Sequence, residues 1–148
     1  MSLLIGTRNS TTQTVVTNGV VNLGAVARRY CKKNLCGLPA FLFNGTSISI
    51  QTPGIYEVIV TLVASGTEAG DVTFQLNENE IAVPTAISTQ TITTANTEIR
   101  TFVISASILV DSNCVLNTKQ TSIKNISIVN TGVGAIVTNV SVNIIKGA

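Results

Sequence analysis

The chain contains no histidine and no tryptophan, and its only aromatics are two Tyr and four Phe among 148 residues. Without imidazole, the Ser-His-Asp and Cys-His nucleophile systems are excluded, because no side chain remains to act as a base near neutral pH. Imidazole-bearing metal sites go with them. Charge is scarce as well: 11% of residues are charged, about half the usual share, and nine Lys/Arg against seven Asp/Glu leave a formal charge of +2. That is too weak for nucleic-acid binding driven by the field of the whole protein. No uncharged apolar run reaches the length of a bilayer crossing. The opening MSLLIGTRNS has only Leu3, Leu4 and Ile5 in apolar succession before Gly6. It therefore lacks a signal-peptide core, and synthesis in the cytoplasm is expected.

Cysteine is also thin. Cys31, Cys36 and Cys114 are an odd number, which argues against a secreted disulfide framework. Cys31 and Cys36 could pair locally or hold two corners of a zinc site, but three thiols without His leave zinc one ligand short. Reduced thiols are the expectation. Carboxylate-based hydrolysis would have to draw on seven scattered acids, mostly at expected turns and outward strand positions. No catalytic residues, cofactor or metal site are expected, and the chain reads as a protein that is not an enzyme.

What the sequence has in quantity is β-branched residues: 21 Thr, 18 Val and 17 Ile. Such side chains are stiff at χ1 and fit a pleated sheet better than a helix. The pattern divides near residue 38. Residues 1–37 read as an arm, with Thr14 to Thr17, Asn18-Gly19 and Val20 to Leu23 forming a short hairpin signature. A basic, cysteine-bearing stretch without a period follows, from Ala25 to Gly37. Residues 38–148 read as a series of strands broken by turn chemistry. Expected strands are Ala40 to Phe43, Thr46 to Gln51, Ile55 to Ser65, Asp71 to Leu76 and Ile81 to Val83. They continue with Ala86 to Thr93, Glu98 to Val110, Cys114 to Thr118, Ile123 to Asn130 and Ile136 to Lys146. Asn77-Glu78-Asn79-Glu80 reads as a hairpin tip, since four adjacent residues rarely converge on calcium. The strand from Ile55 places Tyr56, Val58, Val60 and Leu62 on one face and Ile55, Ile59 and Val63 on the other, so both faces call for cover. The fold class is all-β: an antiparallel two-sheet jelly-roll sandwich preceded by the N-terminal arm.

The segment Thr52-Pro53-Gly54-Ile55-Tyr56-Glu57-Val58-Ile59-Val60 resembles the Tyr-bearing strand of C1q/TNF-like jelly rolls. The strand Val72 to Asn79 follows it in the same order, and Val140 to Ile145 resembles that family's closing core strand. The texture is similar to the C-terminal domains of bacterial spore-surface filaments, although no Gly-X-Y stalk precedes it. Met1 to Asn9 and Leu23 to Cys31 resemble small trimeric head-decoration proteins of tailed bacteriophages. These resemblances imply a homotrimer with one sheet face turned to the threefold axis, the strand residues Ile55, Tyr56, Val58, Ile59 and Val60 serving core and trimer contact.

They also imply a virion protein on the capsid surface, held to the major capsid protein or another virion protein through the arm. Arg28, Arg29, Lys32 and Lys33, clustered around Tyr30, read by themselves either as a solvated face or as a contact for an acidic protein neighbour, and the resemblance implies the second, making them the partner-binding residues. Nucleic acid is not the expected partner, because a single aromatic accompanies the charges, and no membrane partner is expected. The alternative is a bacterial surface or spore-coat module that recognises a receptor or glycan through exposed loops.

Overall fold

A computed structural model of the chain describes residues 3–30, 40–113, 120, 121 and 123–147. Thirteen strands run through them: β1 (Leu4–Asn9), β2 (Gln13–Val15), β3 (Ala25–Tyr30), β4 (Phe41–Phe43), β5 (Ile48–Ile50), β6 (Gly54–Gly66) and β7 (Gly70–Glu78). The rest are β8 (Ile81–Ile92), β9 (Arg100–Val110), β10 (Ser112–Asn113), β11 (Gln120–Thr121), β12 (Lys124–Asn130) and β13 (Ala135–Lys146). Among the described residues there is no helix, and so none able to cross a membrane.

Two antiparallel sheets form the sandwich. One has the order β3-β1-β13-β6-β9, with β2 pairing β13 beyond the end of β1; the other has the order β4-β5-β12-β7-β8. Strand alternation sends Tyr56, Val58, Val60 and Leu62 inward from β6, Phe102, Ile104 and Ile108 from β9, and Val140, Val142 and Ile144 from β13. The second sheet answers with Phe41, Ile48, Ile50, Val72, Phe74, Leu76, Ile126 and Ile128. Two edge-to-face pairs cross this core, Phe41 on Tyr56 at 5.8 Å and Phe74 on Phe102 at 4.8 Å between ring centres. The expected jelly-roll sandwich is the fold observed.

Irregularities in the ladders keep the core in phase. In β13 the register shifts between Val137 and Asn139, so Val137 and Val140 both point inward despite their odd spacing. The Thr138 hydroxyl donates to the Val63 carbonyl at 3.1 Å across that bulge. Between β7 and β8 the register shifts between Gln75 and Asn77. There the Gln75 amide donates to the Val83 carbonyl at 2.6 Å and the Ala86 carbonyl at 3.1 Å.

The N-terminal arm is a correction. β1 lies inside a sheet, between β3 and β13. Leu3, Ile5, Val15, Val21 and Leu23 are buried in the common core, so residues 3–23 supply the sandwich rather than hang from it. Gly24 holds the return into β3 with φ of 82°, and a Cβ there would stand 2.3 Å from the Arg8 carbonyl oxygen.

The hairpin read at Asn18-Gly19 is a second correction. The Gly19 N–H donates to the Val16 carbonyl at 2.8 Å and Asn18 takes φ of 66°, so a turn does form. Its two limbs part, however. Thr14 and Val15 pair with β13 in one sheet, while Val20 bridges Val129 and the Val21 N–H donates to Ile128 in the other. The turn thus crosses from sheet to sheet at the end of the sandwich. Asn130, wholly buried, ties this crossing down: its amide donates to the carbonyls of Val15 at 3.0 Å and Val133 at 2.8 Å, and its oxygen accepts from the Gly132 N–H at 3.0 Å. The basic stretch without a period begins as the edge strand β3.

Candidate functional site

Two surfaces of the sandwich carry chemistry that the core does not use. The first is the outer face of the β3-β1-β13-β6-β9 sheet. On β6 the strand residues divide by parity: Tyr56, Val58 and Val60 are in the core, whereas Ile55 and Ile59 point outward. The register aligns Ile55 with Leu109, and Ile59 with Ser105 on one side and Asn143 on the other. Next to this row, Ile145 stands opposite Leu4, and Leu4 opposite Tyr30. Ile55, Ile59, Val103, Leu109 and Ile145 are between 44% and 57% exposed. Water thus meets aliphatic side chains on three neighbouring strands of one sheet. The exposed Leu42, Ile81 and Ile87 of the other sheet stand singly on its edge strands β4 and β8.

Charge on this face is polarised. Glu57, whose carboxylate accepts from the Ser107 hydroxyl at 2.8 Å, stands on β6 near the β9 edge. Arg28 and Arg8 stand at the other side, where the Arg28 stem lies over Gly6 close to the Asn143 side chain.

The basic cluster is not a single patch. Arg28 and Tyr30 share the outer face by parity, while Arg29 points the other way and its guanidinium donates to the Phe41 carbonyl of β4. That bond closes the open corner between the edge strands of the two sheets, so Arg29 serves the fold. Tyr30 is half-exposed. Lys32 and Lys33, like Cys31, Cys36, Cys114 and the expected strand Cys114 to Thr118, lie outside the described residues.

The Tyr56 phenol is perturbed by its position. Burial in the core pushes it up to about 12, because the phenolate would lose its water. Its hydroxyl donates to the Thr52 carbonyl at 2.7 Å, which anchors the start of β6.

The second surface is an open trough of about 670 Å³ on the outer face of the other sheet. Its floor is β12, with Asn125, Ser127 and Val129 in outward succession. One wall is Asn77 of β7 with Asn79 of the turn that follows it; the other is Ser49 of β5 and the N-terminal Val20. The expected tip at residues 77–80 is a two-residue turn in which Asn79 and Glu80 take φ of 52° and 67°. Asn79 is locked by both ends of its amide, accepting from the Asn125 N–H at 2.8 Å and donating to the Ile123 carbonyl at 3.2 Å. The Ser49 hydroxyl donates to the Asn125 side-chain oxygen. Sequence reasoning found the tip but not the trough, which draws on segments far apart in the chain. A signal was present: the outward positions Ser49 of β5, Asn77 of β7 and Asn125 and Ser127 of β12 hold Ser and Asn where a solvent face usually holds charge.

No protein-family model matches the chain, and no curated sequence is similar to it. Solved structures do share its fold. The Eiger TNF of S. frugiperda superposes with a TM-score of 0.64 at 12% identity, covering 100% of this chain and 92% of that one. The globular domain of zebrafish complement 1qA gives 0.60 at 9% identity, covering 95% and 94%. The PRD1 vertex protein P5 gives 0.56 at 13% identity, covering 99% and 97%. The chain has a C1q/TNF-like jelly-roll fold.

Proposed function

We propose that this chain is a non-enzymatic structural protein that assembles into homotrimers through the outer face of the β3-β1-β13-β6-β9 sheet and decorates a bacteriophage capsid. The observation that carries the assembly is the set of half-exposed aliphatic side chains Ile55, Ile59, Val103, Leu109 and Ile145 on one face. Covering the exposed half of each contributes roughly 1 kcal/mol, or about 5 kcal/mol for each copy before the costs of association. Glu57 on one side of the face and Arg28 on the other let neighbouring copies meet with opposite charges. The trimeric count comes from the family that residues 52–60 resemble.

The virion role draws on the same resemblances, together with the occurrence of this fold in the PRD1 vertex protein P5. Attachment to a capsid protein is assigned to the β3 edge, with Arg28 exposed on it, and to the basic residues that continue the chain at Lys32 and Lys33. Residues 3–23 are taken up by the fold, so the anchor is this edge and not a free arm.

Light scattering behind a sizing column tests the assembly. The expected result is a mass of three copies at micromolar concentration for the natural chain and one folded copy for Ile59→Asp, with an unchanged circular dichroism spectrum and a lower melting temperature, because the stabilisation by association is lost. Ile59 is 45% exposed on the single copy, so Asp there costs it about 1–2 kcal/mol; at a covered face it leaves a carboxylate without a partner, at about 3–5 kcal/mol per copy. A monomeric natural chain, or a variant that assembles equally well, overturns the reading. Mass spectrometry of purified virions tests the location, and absence of the chain from them refutes decoration.

A further inference from the structure

We infer that the trough on the outer face of the β4-β5-β12-β7-β8 sheet is a binding site for a neutral oligosaccharide. Among its lining residues there is no cation, and the one ionisable group is Glu80 at the rim. An anionic ligand would find no counter-charge there. The floor strands β5, β12 and β7 are all paired within the sheet, so a peptide has no free strand edge to join. Recognition falls to side chains.

Those side chains suit hydroxyl groups. Asn77 and Ser127 stand directly opposite in the register of β7 and β12, and neither side chain has a hydrogen-bond partner among the described residues. Together they present an amide donor, an amide acceptor and a hydroxyl that both donates and accepts. Asn125 adds the NH₂ end of its amide, since Ser49 occupies the oxygen end. Asn79, bonded at both ends, fixes the tip against β12 and holds the wall in place. Val20 and Val129, joined by a strand bridge, supply an apolar strip against which the C–H face of a sugar ring can lie. A volume of about 670 Å³ is within the usual range for small-ligand clefts.

No aromatic ring lines the trough, so affinity rests on hydrogen bonds and a small apolar contact. Dissociation constants on the order of millimolar follow. The site lies on the sheet opposite the assembly face, and it stands whether or not the chain forms trimers.

The test is a titration of the full chain, followed by the side-chain amide NMR signals of Asn77 and Asn125. The probes are cellohexaose, maltohexaose and chitohexaose, with a sulfated heparin hexasaccharide as the charged arm. At least one neutral hexasaccharide is expected to shift both amides with millimolar affinity. The double substitution Asn77→Ala with Ser127→Ala should weaken it by about tenfold or more, since two ligand hydrogen bonds go, while the thermal melt stays in place. Lys124→Ala, outside the trough, should bind as the natural chain does, and so should Ile59→Asp. Failure of all three neutral probes to move the amides overturns the inference. So does binding that survives the double substitution, and so does preference for the sulfated probe.

Discussion

Removing residues 1–37 is the perturbation that most sharply separates a detached arm from an integral part of the fold. A detached arm can be cut away without harm to the sandwich. In the structure the cut removes Leu3, Ile5, Val15, Val21 and Leu23, each buried to 8% exposure or less. At about 1.5–3 kcal/mol for burying each side chain, the loss is roughly 7–15 kcal/mol, as large as the whole stability of an ordinary domain. The cut also strips β1 and β2 from β13 and opens a long, apolar, unpaired edge. The fragment 38–148 is therefore expected to be unfolded or aggregated, with no cooperative transition in urea followed by circular dichroism. Ile5→Ala in the full chain is the graded form of the experiment. It should fold and lose about 2–5 kcal/mol. A fragment 38–148 that unfolds cooperatively within about 2 kcal/mol of the full chain would refute the reasoning and restore the arm.

Asn130→Ala should destabilise the chain by roughly 2–4 kcal/mol, because the carbonyls of Val15 and Val133 lose their donor in a buried site; urea titration reads this, and a change below about 0.5 kcal/mol refutes it. Tyr56 should resist ionisation. With Tyr30→Phe as background, the remaining tyrosinate absorbance should rise only near pH 12 in the folded protein. The sign follows from the raised value: the folded state keeps its proton where the unfolded state has lost it. This contribution is therefore full below pH 10 and is lost as pH rises from about 10 toward about 12. Ionisation with a midpoint near 10, while the fold is intact by circular dichroism, would contradict the burial.

The two-sheet fold was legible because its evidence is local. A period of two, with turn chemistry between runs, marks strands such as β6, β9 and β13 wherever they end up in space, and their bounds differ from the expected ones by a residue or two. β1 was not legible, since Leu4 to Asn9 contains Gly6 and Arg8 and shows only Ile5 and Thr7 inward. Its place inside the sheet comes from pairing with β13, at the far end of the chain, and with β3 on its other side. The same holds at Asn18-Gly19. The dipeptide specified a turn, but only the positions of the two sheets decided that its limbs should part rather than pair.

By itself the sequence determined the exclusion of imidazole chemistry, the β-branched sandwich, the parity that sets Tyr56 and Ile59 on opposite faces of one strand, and the poverty of charge. Each depends on composition or on neighbours two residues apart. Tertiary structure alone decided that the N-terminal residues belong to the core. It also decided that Arg29 faces away from Arg28 to close a corner, that Ile55, Leu109 and Ile145 share one face, and that Asn77 meets Ser127 across a trough. Those outcomes rest on register between strands distant in sequence, and register is set by the packing of the whole sandwich, which no local pattern contains.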